Sequence, residues 1–403
     1  MHPIIILLML AIGAFAFSLL RRQGLLRGTL TVTLSVLFLL LALGARLWVF
    51  DHETLDYQMF LAPWVEHFRI HGGFPGFAIP VGNYHVTYLY FLALFSYIPL
   101  PDLHLIKLVS VFFDVVLAYY IMQLVGLHTR RPWQKRLAFF VTLFLPTIFL
   151  NGAYWGQCDQ IYAAFAVMSL YYALTSRPNR SMMAIALAFA FKLQAIFIFP
   201  IFLILLYTGR IRIWNMLVFP VTYVLAILPA VFFGRPFMDT LLFYFRHQIV
   251  DGRGLNYNSP SIFTLVRGPG HDTTLLATLG IIAAFALVLA ICLIVFTRHG
   301  RNVSNETFLV LALAFTVGVP LFLPHMHDRY FFMADSFAVA LGLTRLRYFP
   351  AILATQFASL LGYHAYLRQA FLFPMRYGTF ALLALMILLL FALLRGSSER
   401  DRL

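Results

Sequence analysis

Charge is what this 403-residue sequence has least of: 11% of it is Asp, Glu, Lys or Arg, and the acidic residues number only 15. A water-soluble chain of this length needs far more polar surface to cover its core, which excludes a soluble globular protein. Cysteine is nearly absent too. Of the two, Cys292 lies within an apolar run, so a disulfide framework is excluded. Repeats, heptad arrays and low-complexity tracts are missing. What is abundant is apolar residues, at 62%, with 17% aromatic. They form runs of membrane-spanning length, the pattern of an all-α polytopic membrane protein. The net charge of +14 is scattered between these runs, so the 29 Lys+Arg read as topological anchors and not as a nucleic-acid surface.

The clearer spans are 3–20, 29–50, 103–125, 137–153, 158–175, 214–233, 273–297, 305–323, 328–344, 348–365 and 376–395. Two segments are ambiguous. The run 86–101 is short and ends at a proline pair, and 181–207 is long for one helix and broken by Lys192 and Pro200. The basic loops "RRQGLLR", "HTRRPWQKR", "SRPNR", "GRIR", "RHGR", "RLR" and "RGSSERDR" all fall on one face only if 86–101 fails to cross and 181–207 crosses twice as a broken hairpin. That assignment gives about 12–13 membrane helices in a single integral-membrane domain, 1–403. The first run is retained as a helix (1–28) with its N-terminus outside, because its positive charges follow the apolar stretch. The outer face then carries two long loops, 51–102 and 234–272, and short turns near 154–158, 324–328 and 366–375.

Polar residues gather on that face. In the first loop, Met59, Phe60, Val65 and Phe68 recur at helical spacing, which predicts an amphipathic helix over 56–70 lying along the interface. Asp56, in its first turn, is a candidate general base, although spacing alone favours a capping aspartate. In "NGAYWGQCDQIYAAF", Trp155 suits an interface aromatic and Asp159 a helix cap, so Gln157 and Asp159 have a structural reading at least as good as a functional one. "FLPHMHDRYFF" sets His325, His327, Asp328 and Arg329 in one tight turn. A metal is conceivable there, but a phosphate suits the arginine better. Arg246, His247, Arg253 and Asn258 offer an anion site or a plain glycine-rich turn with equal weight. Lys192, within a span, would meet a lipid-linked phosphate or snorkel to headgroups. Arg46 and Asp114, also within spans, are expected to form a structural ion pair.

Taken in order, "LNGAYWGQCDQIYAAF", "LAFAFKLQAIFIFP" and "LPHMHDRYFF", with "DYQMFLAPWVEHFRIHGGF" and "NYHVTYLY" before them, resemble the bacterial relatives of the GPI mannosyltransferase II group. More distantly the pattern is similar to the ER glucosyltransferases that build the N-glycan precursor. Both belong to the GT-C class of integral-membrane glycosyltransferases. The resemblance covers about residues 51–345 and implies a GT-C-type fold. It implies a transferase on the extracytoplasmic face of a bacterial plasma membrane, drawing on a polyprenyl-phosphate sugar. The acceptor is a glycan, a glycolipid or a protein. By the same resemblance Asp56 matches the family's base, with Asp51 and Glu53 close enough to compete. His325, His327, Asp328 and Arg329 match the turn near the donor phosphate, Lys192 and Gln194 a Lys-Gln pair, and Asp159 the position after the aromatic-glycine turn. The first helix precedes the family's usual start. No cofactor is required where cationic side chains hold the phosphate, and the two histidines leave a divalent metal open. The rival reading is a lipid-linked sugar flippase or transporter, favoured by the break at Lys192 and disfavoured by the absence of an inverted repeat.

Overall fold

The computed structural model describes residues 2–248, 254–266 and 272–395, with the side chains of 247 and 248 outside it. Among these residues the chain is all-α apart from two two-residue strands. Helices α1 (Pro3–Arg22) and α2 (Thr29–Trp48) precede the first long loop, which contains α3 (Ala62–Ile70) and α4 (Val86–Phe95). Next come α5 (Asp102–Gly126), α6 (Pro132–Phe144), α7 (Pro146–Phe149) and α8 (Asp159–Leu174). Helices α9 (Pro178–Phe191), α10 (Pro200–Tyr207), α11 (Val218–Phe232) and α12 (Phe237–Leu241) lead to the second long loop and its strand β1 (Asn256–Tyr257). The remainder is α13 (Thr273–Arg298), α14 (Asn305–Phe322), β2 (Met326–His327), α15 (Phe332–Thr344), α16 (Phe349–Leu367) and α17 (Arg376–Leu394).

Seven helical segments are long and apolar enough to cross a membrane, or eight if α6 and the helical segment ending at Trp155, bent by 48° at Pro146, form one span. The chain is thus a multi-pass membrane protein, with fewer self-sufficient spans than charge counting suggests. The other expected spans form shorter or more polar helices: α8, α9 with α10, α15 and α16. The reason is burial. Helices α14 and α15 are enclosed along nearly their whole length, and short or broken helices are tolerated at membrane depth where protein, not lipid, surrounds them. Helices α1, α2 and α13 instead show apolar side chains such as Leu30, Leu41 and Leu289 to the outside, as a lipid-facing stripe requires.

The ambiguous segments resolve physically. At ten residues α4 rises only about 15 Å, half of a bilayer core. The segment 178–212 goes out and returns: the Asn215 amide donates to Asn179 Oδ1 at 2.7 Å, so its two ends meet. Its break is Lys192, extended at φ −154° and ψ 135°, followed by a 3₁₀ turn, Leu193–Ile198. At the end where Asn179 meets Asn215, away from Lys192, Arg136 reaches the Leu25 carbonyl at 2.9 Å, Arg210 the Val303 carbonyl at 3.2 Å, and Arg345 pairs with Glu306 at 2.9 Å. The basic loops therefore converge on one end of the bundle.

The predicted 56–70 helix forms with an altered register. Tyr57–Leu61 winds as a π-turn before α3, and the extra residue it inserts rotates the buried face. Leu61, Trp64, Val65 and Phe68 point inward, while Met59 and Phe60 are exposed. Arg46 and Asp114 pair as expected, Nε to Oδ2 at 2.9 Å, and the remaining guanidinium nitrogens donate to the Ala42 and Leu143 carbonyls at 3.0 and 2.8 Å. The Lys107 ammonium donates to three carbonyls beyond α2, those of Val49, Phe50 and His52, at 3.1, 3.0 and 2.7 Å. This anchors the start of the first loop.

Candidate active site

The turn between α7 and α8 organises the opposite end of the bundle. Leu150–Trp155 is a π-helical turn closed by Gly156 in the left-handed region, φ +81°. The Gly156 and Gln157 amides bond back to Gly152 and Asn151 at 3.0 and 2.9 Å. Ser110 Oγ donates to the Gln157 carbonyl at 2.6 Å and Thr54 Oγ1 to the Trp155 carbonyl at 2.9 Å, fixing the turn to α5 and to the first loop. A Cβ on Gly156 would touch nothing closer than 3.9 Å, so Gly156→Ala is charged only with backbone strain. Its cost should be about 1–2 kcal/mol, seen as a lower thermal midpoint in detergent; an unchanged midpoint would count against this conformation.

Two side chains of that turn grip Asp56. Trp155 Nε1 donates to Oδ2 at 2.9 Å, Gln157 Nε2 donates to the same oxygen, and the Tyr366 hydroxyl of α16 donates to Oδ1. Asp56 makes no capping bond to the backbone. Its sequence rivals are engaged elsewhere. Asp51 is exposed and faces His104 at 2.8 Å, and Glu53 accepts from Gln58 at 3.0 Å. Gln157 Oε1 in turn accepts from the Tyr84 hydroxyl at 3.0 Å, and burial pushes the Tyr84 phenol up to about 12. Trp155 is fully buried, stacked on Tyr366 with centroids 4.6 Å apart. It is not an interface aromatic, because its indole N–H and ring face are both used inside.

Beside this lies a buried ionic cluster. Asp159, first residue of α8, makes no cap bond. Its Oδ1 accepts from Lys192, its Oδ2 accepts from Asn151 at 2.8 Å, and Arg329 Nε stands 3.7 Å from Oδ2. Lys192 therefore does not snorkel; the break after α9 turns it inward onto a carboxylate. Arg329 lies over the Trp155 ring at 5.4 Å, with Nη1 3.4 Å from Asp328. Its Nε is buried, without a hydrogen-bond partner among the described residues, and faces the Asp159 carboxylate. Gln194, buried in the 3₁₀ turn, likewise has an unpartnered Oε1 among the described residues.

The histidine turn is shaped by its neighbour strand. β1 and β2 pair in parallel, Asn256 with Met326 and Tyr257 with His327. His325 has φ +62°, its amide donates to the Leu255 carbonyl at 2.9 Å, and its Nδ1 is 2.5 Å from the Gly254 carbonyl. The His327 ring stacks on Tyr257 at 4.6 Å. Burial, helped by Arg329, pushes His327 down to about 4, so at neutral pH it is an uncharged hydrogen-bonding group. The permanent cations are Arg329 and Lys192. Glycine is needed at 362, where a Cβ would come within 2.7 Å of the Asp328 carbonyl and 2.9 Å of the Asn258 carbonyl. Among the described residues no three His, Cys, Asp or Glu side chains gather as a metal site.

Burial pushes the Asp328 carboxyl from 3.8 up to about 7, against the opposing pull of Arg329. The folded protein therefore holds a proton there that the unfolded chain releases, and between those two values stability falls as pH rises. His327, held down to about 4, contributes the opposite slope below 6.5, so the expected result is a difference: from pH 5 to pH 7 the thermal midpoint of the wild type should fall relative to that of Asp328→Asn. The same slope in both proteins would overturn the assignment.

Among the remaining sequence candidates, Arg246 is exposed and paired with Asp239, apart from the cluster, and Arg253 lies outside the described residues. The sequence gives no sign of Tyr366 or Tyr363, whose hydroxyl accepts from Asn151 at 2.9 Å. Asn151 and Tyr84 lie within the quoted motifs without being singled out. No curated protein matches this chain. The sequence profile of Glycosyltransferase family 87 matches residues 84–324, a range that takes in the Tyr84 hydroxyl, the 150–159 turn and Lys192. The protein belongs to glycosyltransferase family 87.

Proposed function

We propose that this glycosyltransferase moves a hexose, mannose above others, from a polyprenyl-phosphate sugar to an acceptor hydroxyl on the extracytoplasmic face of a bacterial plasma membrane. The observation that carries the reading is Asp56, a partly exposed carboxylate held by three donors, one of them Trp155, over whose ring the Arg329 guanidinium lies. The acceptor O–H gives its proton to Asp56 while its oxygen bonds to the anomeric carbon. The carbon–oxygen bond to phosphate breaks on the far side, its electron pair leaving with the phosphate, and configuration inverts. Arg329, with His325 and the uncharged His327 beside it, stabilises the departing anion, the step that gains most from fixed charges in a dry site. Asp328, Gln194 and Lys192 hold that wall in shape, Lys192 through Asp159. The convergence of basic loops on the opposite end supports the outward orientation.

The test is release of free polyprenyl phosphate by purified protein from a panel of polyprenyl-phosphate sugars, with membrane extract as acceptor. Release from one donor identifies the sugar. No release from any of them, with lipid bound to folded protein, would favour the flippase reading instead.

A further inference from the structure

The first long loop and the turn after α11 enclose a second recess of about 260 Å³. Phe77, Gly82 and Asn83 form one wall, Arg235, Pro236 and Asp239 the other. Local geometry puts the arginine there. Gly234 closes α11 at φ +95°, and a Cβ on it would come 3.2 Å from Ala78 Cβ, so this turn lies directly on the first loop. The Arg235 amide bonds back to the Ala230 carbonyl at 3.1 Å, and the residue lines the recess.

Arg235 is only 9% exposed, yet its Nη1 has no hydrogen-bond partner and no carboxylate lies within ion-pair distance of it among the described residues. Asp239, the acidic residue of the wall, is engaged by Arg246. A buried guanidinium without a counter-charge is expensive, and arginine is the side chain best matched to planar or tetrahedral oxyanions. The volume is below the about 300–1,000 Å³ of pockets for drug-sized ligands; it suits one head group and not a polymer segment. The recess also adjoins the reaction site. Asn83 precedes Tyr84, whose hydroxyl donates to Gln157, which donates to Asp56. Trp64 packs edge-on against Tyr84 at 5.3 Å and directly under Gly82.

We infer that this recess is an anion subsite for the acceptor, binding one phosphate or carboxylate group through Arg235 while the acceptor hydroxyl reaches Asp56. The assignment to acceptor rests on the transferase reading above, in which the donor phosphate occupies the Arg329 side. Recognition of a fixed charge beside the base would make the enzyme select acidic acceptors over neutral ones of the same shape.

The experiment is calorimetric binding of glycerol 1-phosphate to the full-length protein in detergent, with glycerol as uncharged control and inorganic phosphate as free-anion control. Wild type and Asp56→Asn should bind glycerol 1-phosphate alike, Arg235→Gln at least ten-fold more weakly, Arg235→Lys in between, and none should bind glycerol. Equal binding by wild type and Arg235→Gln, or none by wild type, overturns the proposal. Phosphate binding as tightly as glycerol 1-phosphate overturns the acceptor role and leaves a free-anion site. Should Arg235→Gln fail to fold, the charge-keeping Arg235→Lys carries the test through its acceptor competition. Glycerol 1-phosphate should inhibit transfer by wild type, and inhibition of this variant should need at least three-fold more; equal inhibition overturns the proposal. Loss of the transferase reading looks different: no transfer by wild type from any lipid-phosphate sugar, with Arg235-dependent binding intact.

Discussion

Asp56→Asn should lower the rate of polyprenyl phosphate release by about 10²–10⁴-fold, the usual contribution of a positioned general base. The effect should fall on kcat, since the amide keeps the size of the carboxylate and loses only its ability to take a proton. Stability should drop little: the amide oxygen keeps the Trp155 and Gln157 donors, and its NH₂ faces the Tyr366 hydroxyl, which turns to accept, so what is lost is the strength of charge-assisted bonds. Tyr366→Phe separates the two effects, because it removes one donor and leaves the base. Initial rates and thermal midpoints of both variants, in the same detergent, decide the matter. Activity of Asp56→Asn within two-fold of wild type would remove Asp56 from the reaction, and neither Asp51 nor Glu53 could replace it, given their outward partners.

Asp159→Ala should be the most destabilising single change in the site. It strips the carboxylate from between the Lys192 ammonium and the Arg329 guanidinium and leaves two cations buried side by side. Breaking a buried pair by removing one partner costs about 3–5 kcal/mol, a large share of the about 5–15 kcal/mol that keeps a protein folded. Like-charge repulsion adds to it. The double variant Asp159→Asn with Lys192→Met should recover most of the loss, because it deletes the ammonium together with its counter-charge. Denaturation of the purified proteins reads this directly. A single variant with the wild-type midpoint would mean that the cluster is hydrated and that its charges are paid by water.

These expectations came within reach of the sequence to different degrees. Helices and their ends follow from windows of about twenty residues, so the apolar runs, the short 86–101 segment and the break at Lys192 are visible there. The Arg46–Asp114 pair is visible for another reason: two opposite charges inside apolar runs have few other places to go. Lys192 suggests a lipid phosphate or headgroup in the sequence because its carboxylate partner Asp159 has the position of an ordinary cap. Trp155 suggests the interface because an indole beside a glycine turn is common there. The register of the 56–70 helix was lost to a single π-turn, which leaves no mark in composition. Tyr366 was invisible altogether, for its role depends on how α16 packs against the first loop, and no local pattern encodes that.

The hydrogen bond from Tyr366 to Asp56 joins residues 310 positions apart. Translation proceeds at about 5–20 residues per second, so the aspartate is made about 15–60 s before the tyrosine that completes its cradle. During that interval the earlier helices of the nascent chain are already made. The cradle of Asp56 is complete only when α16 docks, so a chain stalled or cut before that helix should hold its aspartate by the Trp155 and Gln157 donors alone. The last contact of the cradle is thus supplied by one of the last helices to be made.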